Sequence, residues 1–387
     1  MKVVLFTDTF YDANGVSRFL QNIANEALNN EKDLQIITST DKKYGKNVEL
    51  ANLHNFNPLF KINIPFYKEL DLTLPSFYKI FSFVRKAAPN FIHISTPGPV
   101  GLFGLIIAKK LNITTSCTYH TDFPQYVYQN TKMKFFEWVA GQYMKFFYSR
   151  FDYIFTRSNH YAHILKAQTA KNNKPILTIK PGIDLDKFQP IRIDKKSYNL
   201  QENSFNVLYV GRLSAEKNFN FLLKTWDLFF SKNIENQCSI NFIVVGEGKI
   251  LKEAEKYKSK NIHFLGYKNK DELAQIYSIC DLFVFASTTE TLGQVIMEAQ
   301  ACAMPAIVAD KGGHLEITAN GTRKLELNEH LWCDEIQHIF NDKNYRELQS
   351  KQNFEFMQNY SIHETFSDFW HKLTPDDKSK SKKFKIL

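Results

Sequence analysis

The sequence lacks the features of a membrane-spanning, a disulfide-bonded and a secreted protein. The most apolar later segment, GPVGLFGLIIAKKL, is shorter than the roughly 20 residues that a membrane-spanning helix needs. The five cysteines form no CxxC pair, so neither a disulfide framework nor a zinc site is indicated. The first residues, MKVVLFTDTF, do not follow the pattern of a signal peptide and instead predict a short buried strand. We therefore expect a protein of the reducing cytoplasm.

Negative charge is scarce in the first half of the chain. Residues 1–185 contain 22 Lys and Arg against 13 Asp and Glu, whereas residues 186–387 contain 27 of each kind. The net charge of +9 therefore comes entirely from the excess of basic residues in the first half. Since 387 residues also exceed one ordinary core, we expect two domains. The charge difference predicts an anionic surface as partner of the first domain and a small ligand as partner of the second.

Short β-rich segments alternate with helical ones in both halves, which predicts two doubly wound parallel sheets of the α/β class. The first half has strands such as KVVLFTDT and FIHIST, and the second restarts with FNVLYVGRL and INFIVVGEG. The predicted boundaries are a first domain over 1–185, a linker over 186–204 and a second domain over 205–342. A helical segment follows over 343–373. The basic tail 374–387 is predicted to be disordered.

The stretch ETLGQVIMEA places two carboxylates, Glu290 and Glu298, on either side of mostly small and apolar residues. Gly293 argues against one continuous helix through both, because glycine costs about 1 kcal/mol inside a helix. We expect Glu290 in a loop after the strand DLFVFAST, and a helix that begins near Leu292 to Gln294. A loop that leads from a strand into a helix is where phosphates bind. The alternative is a surface helix with two solvated acids.

Glycines and cations follow several of the other predicted strands. Gly15 follows the first strand, Gly211, Arg212 and Lys217 follow VLYV, and Gly246 follows NFIVV. Ligands bind doubly wound sheets at the carboxyl ends of the strands. Each residue alone fits a plain strand-end turn or a solvated cation. Their occurrence at successive strand ends predicts a diphosphate site.

The chain resembles the retaining nucleotide-sugar glycosyltransferases of family 4. The similarity runs in order over about residues 1–318 through the motifs NGVSR, YHTDFPQYV, PGIDLDKFQP, GRLSAEKN, VVGEG, FLGY and DLFVFASTTETLGQVIMEAQACAMPAIVADKGGHLEI. ETLGQ, HISTPGPVGLFGL and YHTDFP are most similar to the branch of sulfoquinovosyl, glucosyl and mannosyl transferases that act on diacylglycerol or phosphatidylinositol lipids. The resemblance implies the GT-B fold, with two Rossmann-like domains that face each other across a cleft. The first domain would bind the acceptor, the second would bind the donor, and segment 343–373 would cross back to the first domain.

The resemblance also implies roles for the candidate residues. Glu290 would contact hydroxyls of the donor sugar, and Glu298 would accept hydrogen bonds from the ribose hydroxyls. Backbone amides near Leu292 and Gly293 would hold the diphosphate, and Arg212 and Lys217 would neutralise it as it leaves. Gly15 would let the first loop approach the donor. His120 would lie near the sugar as an orienting hydrogen-bond donor, with a structural histidine at a strand end as the alternative.

The implied reaction needs no cofactor beyond a UDP- or GDP-linked sugar as donor substrate. The acceptor hydroxyl would attack on the face from which the nucleoside diphosphate leaves, and a phosphate oxygen would take its proton. Catalysis would come from positioning and from charge stabilisation. Asp184 and Asp186 match the metal-binding DxD of another transferase fold, but their place in PGIDLDKF argues against that role. We expect no metal site.

Three alternatives to a lipid-directed transferase remain open from the sequence. They are a transferase that acts on a soluble, polysaccharide or lipopolysaccharide acceptor, a nucleotide-sugar epimerase of the same fold, and a non-catalytic partner subunit. The intact set of Arg212, Lys217, Glu290 and Glu298 argues against the last. Nucleic acid is not an expected partner.

Residues 132–151, KMKFFEWVAGQYMKFFYSRF, combine cations with aromatic side chains. The cations are Lys132, Lys134, Lys145 and Arg150, and the aromatic residues are Phe135, Phe136, Trp138, Tyr143, Phe146, Phe147 and Tyr148. An interfacial helix needs charge for anionic headgroups and rings for the acyl boundary. We expect peripheral association with the cytoplasmic membrane face here, with FNPLFKINIPFYKEL as a possible second contact. The alternative is a helix whose aromatic residues pack on the first sheet.

Overall fold

The computed structural model describes residues 1–12, 14–41, 50–64, 67–169, 174–248, 250 and 260–373. The chain divides into two compact units. Unit 1 consists of Met1–Val127, Met133–Lys180 and Ile362–Leu387, and unit 2 of Tyr128–Lys132 and Pro181–Ser361. The tail predicted over 374–387 lies outside the described residues.

Unit 1 contains a seven-stranded parallel sheet in the order β3-β2-β1-β6-β7-β8-β9, together with a separate antiparallel pair, β4-β5. The strands of the sheet are β1 (Val3–Phe6), β2 (Leu34–Thr38), β3 (Leu53–Asn55), β6 (Phe91–Ile94), β7 (Thr114–Tyr119), β8 (Tyr153–Thr156) and β9 (Ile176–Thr178). The pair consists of β4 (Pro58–Ile64) and β5 (Tyr67–Pro75). The helices in the first half of the chain are α1 (Gly15–Asn29), α2 (Phe77–Ala87), α3 (Pro99–Leu111), α4 (Phe123–Thr131), α5 (Lys134–Tyr148) and α6 (Asn159–Thr169).

The central strand β1 is buried on both faces, which explains its unbroken apolar sequence. Val3 and Leu5 belong to a core cluster that includes Phe19 of α1. Val4 and Phe6 belong to a second cluster that includes Val100 of α3. Because successive side chains of a strand point to opposite faces, one apolar strand supplies both cores.

Asp8, just after β1, holds the N-terminus of α3. Its carboxylate accepts hydrogen bonds from the hydroxyl of Thr96 and from the backbone amides of Gly98, Val100 and Gly101, over 2.7 to 3.3 Å. A Cβ atom at Gly98 would lie 2.5 Å from Cγ of Asp8. The first glycine of TPGPVG is therefore explained by the close approach of the loop to this carboxylate. Burial raises the pKa of Asp8 to about 6, although these hydrogen bonds lower it.

We expect Asp8→Asn to change how the stability of the protein depends on pH. Because the pKa of Asp8 in the folded state, about 6, lies above its usual value of 3.8, the folded protein holds this proton more tightly than the unfolded chain does. The wild type should therefore lose up to about 3 kcal/mol relative to Asp8→Asn as the pH rises from about 4 to about 6. Urea unfolding at several pH values measures this difference. Glu31→Gln, a change at an exposed carboxylate, is the matched control. A constant difference between wild type and Asp8→Asn would contradict the expectation.

Unit 2 contains a six-stranded parallel sheet in the order β12-β11-β10-β13-β14-β15. Its strands are β10 (Phe205–Val210), β11 (Ile240–Val245), β12 (Ile262–Gly266), β13 (Leu282–Phe285), β14 (Ala306–Ala309) and β15 (Thr322–Leu325). Its helices are α7 (Phe219–Lys232), α8 (Lys270–Ile279), α9 (Gln294–Ala301), α10 (Glu329–Asn341) and α11 (Lys343–Met357). The strand order reverses at β10, because β11 and β13 lie on its two sides. Such a reversal leaves a crevice at the carboxyl ends of the strands.

Two segments that flank the predicted second domain are joined to the two units of the structure. Segment 186–204 belongs to unit 2, where Phe188 and Leu200 are buried in the core. Segment 343–373 forms two helices, α11 in unit 2 and α12 (Ile362–Leu373) in unit 1. Phe369 of α12 joins the core cluster of β1 and α1. Apolar residues within these otherwise polar segments therefore pack into the cores of the two units.

Candidate active site

The loops that follow β10 and β11 are in direct backbone contact in unit 2. The amide of Gly211 donates to the carbonyl oxygen of Val245 at 3.0 Å. A Cβ atom at Gly246 would lie 1.9 Å from the carbonyl oxygen of Gly211. Gly246 also has a φ of +130°, which side chains of L residues rarely adopt. This packing requires glycine at 246, so the predicted donor-binding residue has a structural role at this edge.

Arg212 lies next to these loops and is paired with an acid that sequence reasoning missed. Its Nη2 atom lies 3.1 Å from Oε1 of Glu216, four residues further along the chain. The Glu216 side chain is only 2% exposed, whereas that of Arg212 is 22% exposed. The buried carboxylate therefore orients a guanidinium that still reaches solvent. The sequence gives no signal for this pair, because Arg212 lies in the loop before the turn Ala215–Lys217 and the two residues do not share a helix.

Lys217 and Glu290 form an ion pair, which the sequence did not predict. The pair joins the turn after β10 to the loop after β13, and both side chains are less than one-fifth exposed. Burial raises the pKa of Glu290, but Lys217, His314 and Arg212 lower it more strongly, so this pKa lies below its usual value. Glu290 is therefore a carboxylate at neutral pH and can accept hydrogen bonds from hydroxyl groups.

Helix α9 begins at Gln294, at the end of the range that the sequence predicts. Its N-cap is Gly293 with a φ of +80°, and no side chain caps the helix. Leu292 is buried beside this turn. The first backbone amides of a helix have no partners within the helix, and they bear a partial positive charge. This N-terminus lies directly after the loop of Glu290.

Glu298 lies one turn inside α9 and is fully buried. Its Oε2 atom accepts a hydrogen bond from the hydroxyl of Tyr277 on α8 at 3.0 Å. Tyr277 is also fully buried. The tyrosine therefore fixes the position of the carboxylate. Sequence reasoning missed Tyr277 because nothing in its local sequence distinguishes it from a core aromatic residue.

His314 connects the loop after β14 to the same region. It is fully buried, and its Nε2 atom lies 2.9 Å from the carbonyl oxygen of Ala309. The amide of Gly313 donates to the carbonyl oxygen of Glu290 at 2.8 Å. Burial lowers the pKa of His314, so the imidazole is neutral and donates to Ala309. The hydrogen bond from Gly313 therefore ties the loop of Glu290 to the loop after β14, and His314 ties that loop to the end of β14.

His120 and Gly15 are the candidate residues of unit 1. Gly15 is the first residue of α1 and is exposed, with Asn14 as the N-cap. His120 follows β7, is 8% exposed, and its Nε2 atom lies 2.9 Å from Oγ of Ser95. Burial, together with the charge of Arg157, lowers the pKa of His120 well below its usual range. His120 is therefore neutral and can orient a hydroxyl.

The structure thus brings six candidate residues to one edge of unit 2 and two to the carboxyl edge of the sheet of unit 1. The six are Arg212, Lys217, Glu290, Leu292, Gly293 and Glu298, and Gly246 packs beneath the first of these loops. In the described part of the chain, no three His, Cys, Asp or Glu side chains lie close enough to hold a metal ion. Asp184 instead accepts a hydrogen bond from the amide of Lys187 at 3.1 Å.

Comparison with known proteins gives two family models that follow one another along the chain. The model described as Glycosyltransferase Family 4 matches residues 13–187, and that described as Glycosyl transferases group 1 matches residues 190–355. A sulfoquinovosyl transferase of Arabidopsis thaliana is 29% identical over 64% of this chain and 48% of its own length. An alpha-monoglucosyldiacylglycerol synthase of Streptococcus pneumoniae is 26% identical over 79% of this chain and 70% of its own length. The chain thus matches only about half of the plant protein.

Solved structures share the fold over nearly the whole chain. The Anabaena protein HepE in complex with UDP and glucose superposes with a TM-score of 0.74 at 17% identity, covering 97% of this chain and 99% of that one. Sucrose-phosphate synthase from Thermosynechococcus elongatus gives the same TM-score at 16% identity, covering 96% and 99%. With two parallel-sheet units, the chain has the GT-B fold of glycosyltransferases, as predicted.

The chain belongs to the family 4 glycosyltransferases. The predicted family and its enzymatic class, a glycosyltransferase, are thereby confirmed. Among the described residues, no helix combines the length and the apolarity that crossing a bilayer requires.

Proposed function

We propose that the chain transfers a hexose from a UDP- or GDP-linked sugar to a hydroxyl group of a membrane glycolipid, with retention of the anomeric configuration. The observation that supports this most is the arrangement of Arg212, Lys217 and Glu290 around the free N-terminus of α9. Cations and unpaired backbone amides together suit a diphosphate. The similarity to the alpha-monoglucosyldiacylglycerol synthase of Streptococcus pneumoniae and the complex of HepE with UDP and glucose support the same proposal.

Each residue of this cluster has a proposed task. The amides near Leu292 and Gly293, with Arg212 and Lys217, bind the diphosphate and stabilise the charge that it gains as the sugar leaves. Glu298 accepts hydrogen bonds from the ribose, and Glu290 accepts them from the sugar. His120, at the carboxyl edge of the sheet of unit 1, orients a substrate hydroxyl group. Since both glutamates bind substrate, neither is free to be a covalent nucleophile.

The reaction proposed here proceeds on one face of the sugar. The acceptor oxygen forms its bond to the anomeric carbon as the bond to the diphosphate breaks, and a phosphate oxygen takes the acceptor proton. The two cations then balance the charge of the leaving group, a task that other transferases assign to a divalent metal. We propose that this transfer is independent of metal ions.

Nucleoside diphosphate release tests this proposal. We expect release from one donor among UDP- and GDP-linked hexoses, stimulated by glycerolipid vesicles and unchanged in excess chelator. Lys232→Ala, a change at an ion-paired lysine on α7 away from the cluster, is a control for general effects of charge removal. Loss of release in chelator, restored by magnesium or manganese, would contradict metal independence. An interconversion of donor sugars without transfer would instead indicate an epimerase.

We further propose that α5 docks the enzyme on an anionic membrane. Its exposed side chains recur at helical spacing and combine Lys134 and Lys145 with apolar residues. Phe135, Trp138, Val139 and Phe146 are 63%, 61%, 43% and 50% exposed, respectively. Lys132 is exposed just before the helix, and Arg150 covers the ring of Phe146 at 3.4 Å. Rings and cations on one helix face suit a lipid interface.

Part of the predicted aromatic set instead belongs to the protein core. Phe147 and Tyr148 are buried in the core of unit 1, and Tyr143 donates a hydrogen bond to the carbonyl oxygen of Pro97. The sequence alone does not separate the two faces of α5, because aromatic residues occur on both. The second predicted contact, β4 of the antiparallel pair, exposes Leu59, Phe60 and Ile62.

We expect Trp138→Ala to weaken binding to anionic vesicles by about tenfold, because a large ring leaves the interface. Lys134→Gln and Lys145→Gln should each weaken it by about fivefold, corresponding to about 1 kcal/mol per cation near the surface. Vesicle sedimentation at low and high salt measures both effects. Tyr78→Ala, on α2, removes another exposed aromatic ring and is the matched control. Equal binding of Trp138→Ala and wild type, or no binding at low salt, would contradict docking through α5.

A further inference from the structure

Unit 1 contains a buried arginine that has no acid partner among the described residues. Arg157 follows β8 and is only 5% exposed. Its guanidinium stacks on the ring of Phe19 at 4.0 Å. Within the described ranges, no carboxylate forms an ion pair with Arg157, and its buried Nε atom has no hydrogen-bond partner. Stacking on an aromatic ring compensates a buried cation only in part.

The groups around Arg157 leave this charge uncompensated. His120 is the neighbouring titratable group, and it hydrogen-bonds Ser95. His93, on β6, hydrogen-bonds Ser116 at 2.7 Å and Thr118 at 3.0 Å. Burial lowers the pKa of Arg157 to about 9, which still leaves it charged at neutral pH. The polar groups around this cation are therefore neutral and paired with one another.

The position of Arg157 is one where a ligand binds. Ser95, His120 and Arg157 follow the adjacent strands β6, β7 and β8 at the carboxyl edge of the sheet. Substrates of doubly wound sheets bind at this edge. A guanidinium offers two parallel N–H groups to an oxyanion, with a geometry that suits phosphate and carboxylate.

We propose that Arg157 binds a phosphate ester group of the acceptor, so that the enzyme prefers a phosphate-bearing lipid to a neutral glycerolipid. This inference rests on the proposed function and names the chemical class of its acceptor. The anion supplies the missing negative charge, and the hydrogen bonds to the guanidinium place the acceptor beside His120. Phosphate is the anionic group that membrane lipids most commonly present.

Binding of two soluble lipid probes that differ in one group tests the proposal. Dihexanoyl phosphatidic acid and dihexanoylglycerol share their acyl chains and differ in the phosphate. Calorimetry without any donor should show that Arg157→Gln weakens binding of the phosphatidic acid by about tenfold to a hundredfold, the range for a charged hydrogen bond. Binding of dihexanoylglycerol should not change. Arg157→Lys should retain part of the affinity, since it keeps the positive charge but loses the two parallel N–H groups of the guanidinium.

Arg85→Gln is the matched control, since it removes the same charge from an exposed position on α2 of the same unit. It should leave the affinity for both lipids unchanged. Inorganic phosphate is the second probe. Displacement of phosphatidic acid only at far higher phosphate concentration would support a lipid source for the anion. Binding of phosphate as tight as that of the lipid would overturn the lipid source and leave a site for free phosphate.

Thermal unfolding separates a binding role from a structural one. If Arg157 is held in place for an anion, the melting temperature of Arg157→Gln without ligand should equal or exceed that of the wild type, because an uncompensated buried charge is removed. A clear drop in melting temperature with unchanged affinity for phosphatidic acid would overturn the proposal. So would a loss of affinity for free UDP or GDP, since the anion would then belong to the donor. If no acceptor were glycosylated but the affinity difference persisted, only the proposed function would fail.

Discussion

Arg212→Ala and Lys217→Ala should each lower turnover by about a hundredfold to a thousandfold, while the protein stays folded. Both cations interact most strongly with the diphosphate when it gains charge, so their loss affects the transition state more than the bound substrate. Lys217→Ala also leaves Glu290 without its ion-pair partner. Steady-state rates of nucleoside diphosphate release measure the effect, and circular dichroism checks the fold.

Lys232→Ala provides the comparison for these two variants. Lys232 pairs with Asp334 at 2.8 Å on the surface of unit 2, and an exposed ion pair contributes at most about 1 kcal/mol. Its removal should leave turnover within about twofold of the wild type. Near-normal turnover in both Arg212→Ala and Lys217→Ala would remove the assignment of the diphosphate to this edge of the sheet.

Substitutions of Glu298 and Glu290 should have different effects on donor binding and on sugar transfer, when the two are measured independently. Glu298→Gln should weaken binding of the free nucleoside diphosphate by about tenfold to a hundredfold, because a buried carboxylate loses charged hydrogen bonds to the ribose. Glu290→Gln should leave that affinity nearly unchanged and instead lower turnover and alter the preference among donor sugars. Calorimetry and competition between donors measure these two effects.

Tyr277→Phe tests whether the hydrogen bond from Tyr277 positions the Glu298 carboxylate for the ribose. The variant keeps the Glu298 carboxylate but removes the 3.0 Å hydrogen bond that fixes it. We expect a smaller loss of affinity than in Glu298→Gln, together with a weaker preference for the ribose over the 2′-deoxyribose nucleotide. A purely structural tyrosine would affect both nucleotides equally. If Glu290→Gln rather than Glu298→Gln weakened nucleoside diphosphate binding, the two roles would be exchanged.

The sequence contained enough to predict the fold, because local patterns determined it. Both sheets consist of short strands separated by helices, and the inner strands, such as β1, β10 and β11, are apolar and buried on both faces. The start of α9 was also predictable, since Gly293 disfavours a helix interior, and the structure has it as the N-cap with a positive φ that glycine tolerates. The candidate cations and glutamates follow strands, and parallel strands bring their carboxyl ends to one edge.

Partners distant in sequence could not be predicted, because no local pattern encodes them. Tyr277 reaches Glu298 from another helix, and Asp8 reaches the N-terminus of α3 across about 90 residues. The glycines of TPGPVGLFGL have a similar origin, since a Cβ atom at Gly104 would lie 2.7 Å from the ring of Phe6. Arg157 belongs to the same class: its burial is a property of the packed unit and not of the sequence around it.

The anomeric configuration of the product tests the central claim most directly. Proton NMR of the glycolipid formed from an α-linked nucleotide sugar, in excess chelator, reports the new linkage through its anomeric coupling. The account predicts an α-linked product, formed at the same rate with and without chelator, and formed about a hundredfold to a thousandfold more slowly by Lys217→Ala. A β-linked product would contradict retention, and no product with any UDP- or GDP-linked hexose would contradict the proposed transfer itself.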